Sequence, residues 1–273
     1  AVRMLTGSMP YEDFSFVHPP GSSILLLPFA ALGRLTDDAT AMASIHVFAL
    51  LVGVLNTLLL CLLLRPYGAA AVVAGGMAYA CYFPVVAVDR TYVLEPLLNL
   101  GLLLALTVLF PRSTDRSLRR SPLVAGLIIG FSSTIKVWGF VDAVVLAGYL
   151  LVARGRRAAV EFCLGFVGAA TVVCLPFFLL SPFSMFRHVV LAQAGRPEVG
   201  AQTWEFRFAR LNPLASVDRF AGVGWGLVTA IAIVVLTAAM LGLLGRDARR
   251  ARRTGSPWTV RDLWTGGALW TGR

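Results

Sequence analysis

Residues 123–152 read LVAGLIIGFSSTIKVWGFVDAVVLAGYLLV, an apolar run that Lys136 divides into two pieces. A helix rises about 1.5 Å per residue, so each piece is shorter than the roughly 30 Å hydrocarbon core of a bilayer. Lys136 is also the one lysine in the chain. A charge at a bilayer needs a partner, water or a function. Two interpretations stay open: Lys136 ends a simple hairpin at the membrane surface, or it lies at the floor of a water-filled recess and binds an anion.

Apolar segments continue on both sides of this run and predict further membrane crossings. The chain has 273 residues, of which 58% are hydrophobic and 14% charged, and its mean hydropathy is +0.77. A soluble domain of this size could not bury so much apolar surface. Residues 22–34 are too short to cross and predict a juxtamembrane or re-entrant helix. The pattern predicts an all-α, polytopic transmembrane helix bundle, with crossings at 41–64, 69–88, 96–110, 158–180 and 223–244 in addition to the divided run.

Cationic residues are distributed unequally between the loops. When the crossings alternate, thirteen of them fall in four compact loops on one face, and nine fall on the other face over much more chain. The positive-inside rule makes the compact loops cytoplasmic. We therefore expect a cell-membrane protein with a transmembrane domain at 1–245 and a cytoplasmic basic tail at 246–273. The net charge of +10 reflects this topology, so no nucleic-acid partner is expected.

Residues 1–20, 89–95, Lys136 and the loop 181–221 then share the extracytoplasmic face, where two groups allow both a structural and a functional interpretation. Glu95 precedes a proline and could simply favour a helix start, with Asp89 and Arg90 in a solvated turn. Alternatively, Glu95 belongs to a site at the membrane edge and Arg90 binds a phosphate through its planar guanidinium.

The loop 181–221 is the second group. Its residues 183–196 are amphipathic, with Phe183, Phe186, Val189 and Val190 expected toward lipid. Arg196 leads into a region where arginines alternate with aromatic residues. This region either anchors the loop at the lipid headgroups or forms a cationic lid over a lipid phosphate.

Two further features precede and follow these groups. His18 stands before Pro19-Pro20, and no second histidine or carboxylate lies at metal-ligand spacing. We therefore expect no metal site built from this chain alone and no other cofactor. Use of a divalent metal in the reaction stays an open alternative. Gly126 and Gly130 form a GxxxG pattern that favours close packing between membrane helices.

Three stretches together resemble the GT-C class of membrane glycosyltransferases. The resemblance is to the branch of the dolichyl-phosphate-mannose–protein mannosyltransferases, the lipid A aminoarabinose transferase and related actinobacterial enzymes. Tyr11-Glu12-Asp13 to His18-Pro19-Pro20-Gly21 is similar to its Y…(K/H)PP segment, and Asp89-Arg90 to Glu95-Pro96-Leu97-Leu98 to its (R)…(D/E)PLL segment. Gly126 to Lys136-Val137-Trp138 is similar to its GLxxGxxxxxK segment, and Gln193 to Arg196 resembles a QxxR of the actinobacterial chains.

The resemblance implies an enzyme that transfers a hexosyl or pentosyl group from a polyprenyl-phosphate carrier to a glycan, lipid or protein outside the cytoplasm. It implies that Lys136, Arg90, Arg196 and His18 bind the donor phosphate, and that Glu95, Asp89 or Asp13 supplies a catalytic carboxylate. The class has its main acidic motif after an earlier membrane helix, so we expect this chain to be an incomplete piece without that motif.

Two other functions fit a polytopic membrane protein. A transporter or lipid flippase would have a continuous path across the bilayer and usually repeated halves, and the sequence has no visible repeat. A non-catalytic membrane subunit would use the Gly126/Gly130 surface to bind partner helices and would have no polar cavity. Convergence of His18, Glu95 and Lys136 would favour the glycosyltransferase.

Overall fold

The described part of the chain folds into helices. The computed structural model describes residues 1–81, 85, 94–110 and 122–192. Within these ranges no strand forms, although Pro10 and Phe14 make an isolated β-bridge. The helices are α1 Val2–Leu5, α2 Gly21–Leu25, α3 Leu27–Leu35, α4 Asp38–Leu64, α5 Ala69–Cys81, α6 Glu95–Leu109, α7 Pro122–Ile135, α8 Gly139–Arg154, α9 Arg156–Leu180 and α10 Pro182–Phe186, with a 3-10 turn at Arg65–Tyr67 and a π-helical turn at Arg187–Leu191. The predicted all-α class is confirmed.

Two of these helices are long and apolar enough to cross a membrane. They are α4 with its 3-10 turn, Asp38–Tyr67, and α9, with 30 and 25 residues. Asp37 is the N-cap of α4: its side chain accepts a hydrogen bond from the Thr40 amide at 2.9 Å. The remaining apolar helices are shorter, including the pair α2 and α3 that replaces the predicted short helix at 22–34. The predicted crossing at 223–244 and the tail at 246–273 lie outside the described residues.

Helices α6, α7 and α8 form an antiparallel group. Residues 136–138 connect α7 to α8, and Ile129 of α7 shares a buried core with Leu146 and Leu150 of α8. Helix α6 runs against α7 so that a Cβ at Gly101 would lie 2.7 Å from the Cβ of Ser132. The starts of α6 and α8 and the end of α7 therefore lie together, and we call this the Lys136 end.

The opposite end of the group is held by an arginine. Arg154 at the end of α8 donates a hydrogen bond to the carbonyl of Leu109 and lies over the ring of Phe110, 5.8 Å from its centre. Arg156 and Arg157 follow directly in α9. We call this the Arg154 end. Several of the chain's cations are thus at one end of the group, and Lys136 is at the other.

The GxxxG glycines let α7 contact the backbone of α9. A Cβ on Gly126 would lie 2.9 Å from the backbone carbon of Phe162, and one on Gly130 would lie 2.9 Å from the Cα of Phe166. A Cβ on Gly165 of α9 would likewise lie 2.9 Å from the amide nitrogen of Leu127. The predicted close packing is confirmed, and its partner is α9.

Large apolar side chains cover the outside of the helices. Val172 and Leu179 of α9 are 76% and 71% exposed, and only 11% of the most apolar stretch of that helix is buried. In water such a surface would be unfavourable, whereas hydrocarbon solvates it. Such an exposed surface is typical of a membrane protein.

The segment 182–191 is amphipathic, but one predicted orientation is wrong. Phe183, Phe186 and Val190 are exposed, as expected for residues that face lipid. Val189 is instead buried with Met185 in a cluster that also contains Tyr11 and Phe177. Residues four apart share one face of a helical segment, so Val189 follows Met185 inward.

Candidate functional site

Lys136 and Glu95 form an ion pair at the Lys136 end. Lys136 follows the last residue of α7, Glu95 is the first residue of α6, and the antiparallel arrangement of these helices brings the Lys136 Nζ to the Glu95 Oε1. The lysine side chain is 20% exposed and the glutamate side chain 51% exposed. Both side chains are therefore partly exposed. Asp142, which is only six residues further along the chain, makes no ion pair with Lys136.

His18 lies close to this pair because α2 packs on the last turn of α7. A Cβ on Gly21 would lie 2.7 Å from the backbone carbon and oxygen of Thr134, two residues before Lys136. A glycine is therefore required for this approach, and Pro19 and Pro20 are buried beside it. The charge of His18 acts on the Glu95 carboxylate. Three segments that are far apart in sequence thus converge at one end of the helices.

Helices α7 and α9 run in the same direction, because Gly126 faces Phe162 and Gly130 faces Phe166. The close contacts between them do not extend to Lys136, which follows the last residue of α7. Whether Lys136 ends a simple hairpin or lies at the floor of a recess therefore stays a prediction.

The other predicted site residues are separate from this pair or outside the described residues. The carboxylate of Asp13 accepts a hydrogen bond from the Met9 amide at 2.6 Å in an exposed turn. Asp89, Arg90 and Arg196 lie outside the described residues, and their roles stay predictions. Within the described ranges no three His, Cys, Asp or Glu side chains gather as metal ligands. Whether the reaction needs a cofactor also stays a prediction.

Asn56 is a polar residue at the site that sequence reasoning missed. Its side chain in α4 is fully buried and donates to the carbonyl of Pro96 at 2.9 Å, next to Glu95. The hydrogen bond connects α4 to the first turn of α6. A usable signal was present, because a lone asparagine in the middle of an apolar helix needs a partner.

The ion pair makes a prediction about acid stability. Desolvation opposes ionisation of Glu95, but the hydrogen bond and charge of Lys136 and the charge of His18 outweigh it, so the pKa of Glu95 lies below its ordinary value of 4.5. A carboxylate with a lowered folded-state pKa stabilises the fold above its unfolded-state pKa. We expect this stabilisation to be complete above about pH 4.5 and to disappear as the pH falls through the lowered value.

Thermal unfolding in detergent, measured for the wild type and Glu95→Gln across this acidic range, tests the prediction. The wild type should lose its advantage over the variant as the pH falls. Glu161→Gln is the matched control, because Glu161 pairs with Arg157 along one exposed helix and such pairs contribute only about 0.3–0.5 kcal/mol. Parallel pH profiles of wild type and Glu95→Gln would contradict the charged pair.

Comparison with known proteins identifies the family of the chain. The model of glycosyltransferase family 87 matches residues 16–260, a range that contains His18, Glu95 and Lys136. Neither a curated protein nor a solved structure matches the chain. The family match confirms the predicted glycosyltransferase class over a transporter or a non-catalytic subunit. The chain therefore belongs to glycosyltransferase family 87, a GT-C-like family of membrane glycosyltransferases.

Proposed function

We propose that the protein transfers a hexosyl or pentosyl group from a polyprenyl-phosphate carrier to an acceptor hydroxyl on the extracytoplasmic side of the cell membrane. The acceptor is a glycan, a lipid or a protein. The observation that carries the proposal is the partly exposed ion pair of Lys136 and Glu95, with His18 close to it. The resemblance to the branch of polyprenyl-phosphate-dependent GT-C enzymes supports the choice of donor.

The Lys136 end suits a lipid-linked phosphate. A polyprenyl chain stays in the bilayer and presents its phosphate at the membrane edge, and the large apolar side chains of α9 are exposed. An ammonium group donates up to three hydrogen bonds to phosphate oxygens. In the proposed cycle the phosphate replaces Glu95 as the partner of Lys136. Arg90 and Arg196 are proposed as further phosphate ligands.

The transfer is a displacement at the anomeric carbon. The acceptor oxygen forms a bond to this carbon while the bond from the carbon to the phosphate oxygen breaks, and the carrier phosphate leaves with the electron pair. Lys136 and His18 stabilise the charge that develops on the phosphate. The acceptor proton passes to a carboxylate. Glu95 is the favoured candidate over Asp89 and Asp13, because donor binding would release its carboxylate beside the reacting atoms.

The distribution of cationic residues supports an extracytoplasmic position for the Lys136 end. Arg154, Arg156 and Arg157 lie at the opposite end of the helices from Lys136. Arginine-rich short loops remain in the cytoplasm under the positive-inside rule. The proposed multi-pass arrangement therefore directs the Lys136 end to the extracytoplasmic side.

The test uses the full-length protein in lipid nanodiscs. It is incubated with radiolabelled mannose or arabinose on polyprenyl phosphate, and in parallel with the same sugars as nucleotide derivatives, in the presence of a membrane-glycan extract. We expect label to pass to the extract from a polyprenyl-phosphate donor and not from a nucleotide donor. Transfer from nucleotide sugars alone would contradict the proposal.

A further inference from the structure

Tyr11 is the residue with the most unusual local conformation in the described part of the chain. Its φ of 72° is in the left-handed region, where a residue other than glycine is uncommon and strained, and its side chain is only 3% exposed. Such conformations persist only where surrounding contacts hold them, and they are frequent at functional sites. The contacts of Tyr11 therefore need an explanation.

The side-chain hydroxyl and the backbone carbonyl of Tyr11 make hydrogen bonds to different segments. Its phenolic hydroxyl donates to the backbone carbonyl of His18 at 2.5 Å. Burial raises the pKa of Tyr11, so the hydroxyl remains protonated as a donor. Its own carbonyl accepts a hydrogen bond from the Ser184 hydroxyl in α10 at 2.6 Å. Tyr11 thus joins the segment 182–191 to the residue that approaches Glu95.

The ring of Tyr11 fixes the position of the hydroxyl. It packs in the cluster with Phe177, Met185 and Val189, and it contacts Phe16 with ring centres 6.2 Å apart. Phe16 in turn meets the imidazole of His18 edge to face at 6.0 Å. Both the backbone and the ring of His18 are therefore held by contacts that begin at Tyr11.

We propose that Tyr11 is a positioning residue, which holds His18 toward the Glu95–Lys136 pair by fixing the His18 carbonyl. This inference rests on the proposed function, because His18 is useful there as a ligand of the donor phosphate. Tyr11 itself contacts neither donor nor acceptor in this arrangement. Its effect on transfer passes through His18 alone.

The variant that tests the inference is Tyr11→Phe in the full-length protein, since it keeps the buried ring and removes only the hydroxyl. We expect kcat/KM with a polyprenyl-phosphate sugar to fall about tenfold, the size that loss of one hydrogen bond allows. Tyr149→Phe is the matched control, because the Tyr149 hydroxyl is buried without a hydrogen-bond partner in the described residues. The control should retain wild-type transfer.

A double-mutant cycle separates positioning from general stability. In a His18→Ala background the imidazole is absent, so Tyr11→Phe should cause no further loss of transfer. An equal loss in both backgrounds would overturn the inference, because Tyr11 would then act independently of the His18 ring. Unchanged transfer by Tyr11→Phe in the wild-type background would overturn it as well.

A spectroscopic measurement decides the inference without any transfer assay. The chain has three histidines, so the ring signals of isotope-labelled histidine can be assigned with His18→Gln. Tyr11→Phe should shift the His18 ring signal and leave that of His46 in α4 unchanged. An unmoved His18 signal would overturn the inference. If wild-type protein transfers no sugar from polyprenyl phosphate, the proposed function fails, and the His18 signal still decides whether Tyr11 positions this residue.

Discussion

Replacing Lys136 with alanine in the full-length protein is expected to lower transfer from a polyprenyl-phosphate sugar about 100-fold, the usual effect of removing one group that stabilises developing charge. The ammonium forms an ion pair with Glu95, and in the proposed cycle it binds the donor phosphate. Folding should tolerate the change, because the Glu95 carboxylate is half exposed and water can solvate it. The measurement is kcat/KM in nanodiscs together with the thermal midpoint.

Three further variants locate the cause of this loss. Lys136→Arg keeps the charge and should retain part of the transfer. Arg157→Ala removes an exposed cation at the Arg154 end and should leave transfer unchanged. Glu95→Gln frees Lys136, so binding of polyprenyl phosphate should persist while kcat falls. Unchanged transfer in both Lys136→Ala and Arg90→Ala would remove these two residues from the mechanism.

The second large effect is expected on stability, from the glycines between α7 and α9. Gly126→Ala and Gly130→Ala each place a Cβ against the backbone of α9, where the nearest atoms are the carbonyl oxygens of Phe162 and Phe166. Backbone atoms cannot move away as a flexible side chain would, so α7 and α9 must separate. Overpacking of this kind destabilises by about 1–3 kcal/mol. Thermal unfolding in detergent measures the change.

Two other helical glycines are matched controls for this prediction. A Cβ at Gly148 in α8 or at Gly168 in α9 would meet nothing within 4 Å. Gly148→Ala and Gly168→Ala should therefore be neutral or stabilising by up to about 1 kcal/mol, since alanine favours the helix over glycine. Equal effects at all four positions would contradict the close approach of α7 to α9.

Prediction from sequence was most successful where it depended on local pattern. The divided run around Lys136 became α7 and α8, and the predicted helix start beside Pro96 appears at Glu95. Hydropathy, charges and proline act over a few residues, so the helices follow from them with small errors at the ends. The same local information singled out Lys136, because an isolated charge in an apolar run has a high desolvation penalty wherever the chain packs.

Contacts between distant residues were decided only by tertiary structure. Glu95 is the partner of Lys136, although Asp142 is much closer in sequence, because α6 packs antiparallel on α7. Val189 turned inward, against the expectation from its own segment, because Tyr11 and Phe177 provide a cluster there. The hydrogen bond from Tyr11 to His18 also depends on a backbone conformation that residue type disfavours.

The amino-acid sequence by itself thus determined the helical class, the apolar surface and the few polar groups that need a partner. Helix packing determined which of these groups meet. The physical reason is that burial and helix formation depend on the composition of neighbouring residues, whereas an ion pair across α6 and α7 depends on the register of two packed helices. That register is set by close approaches such as Gly101 against Ser132, which have no signature along the chain.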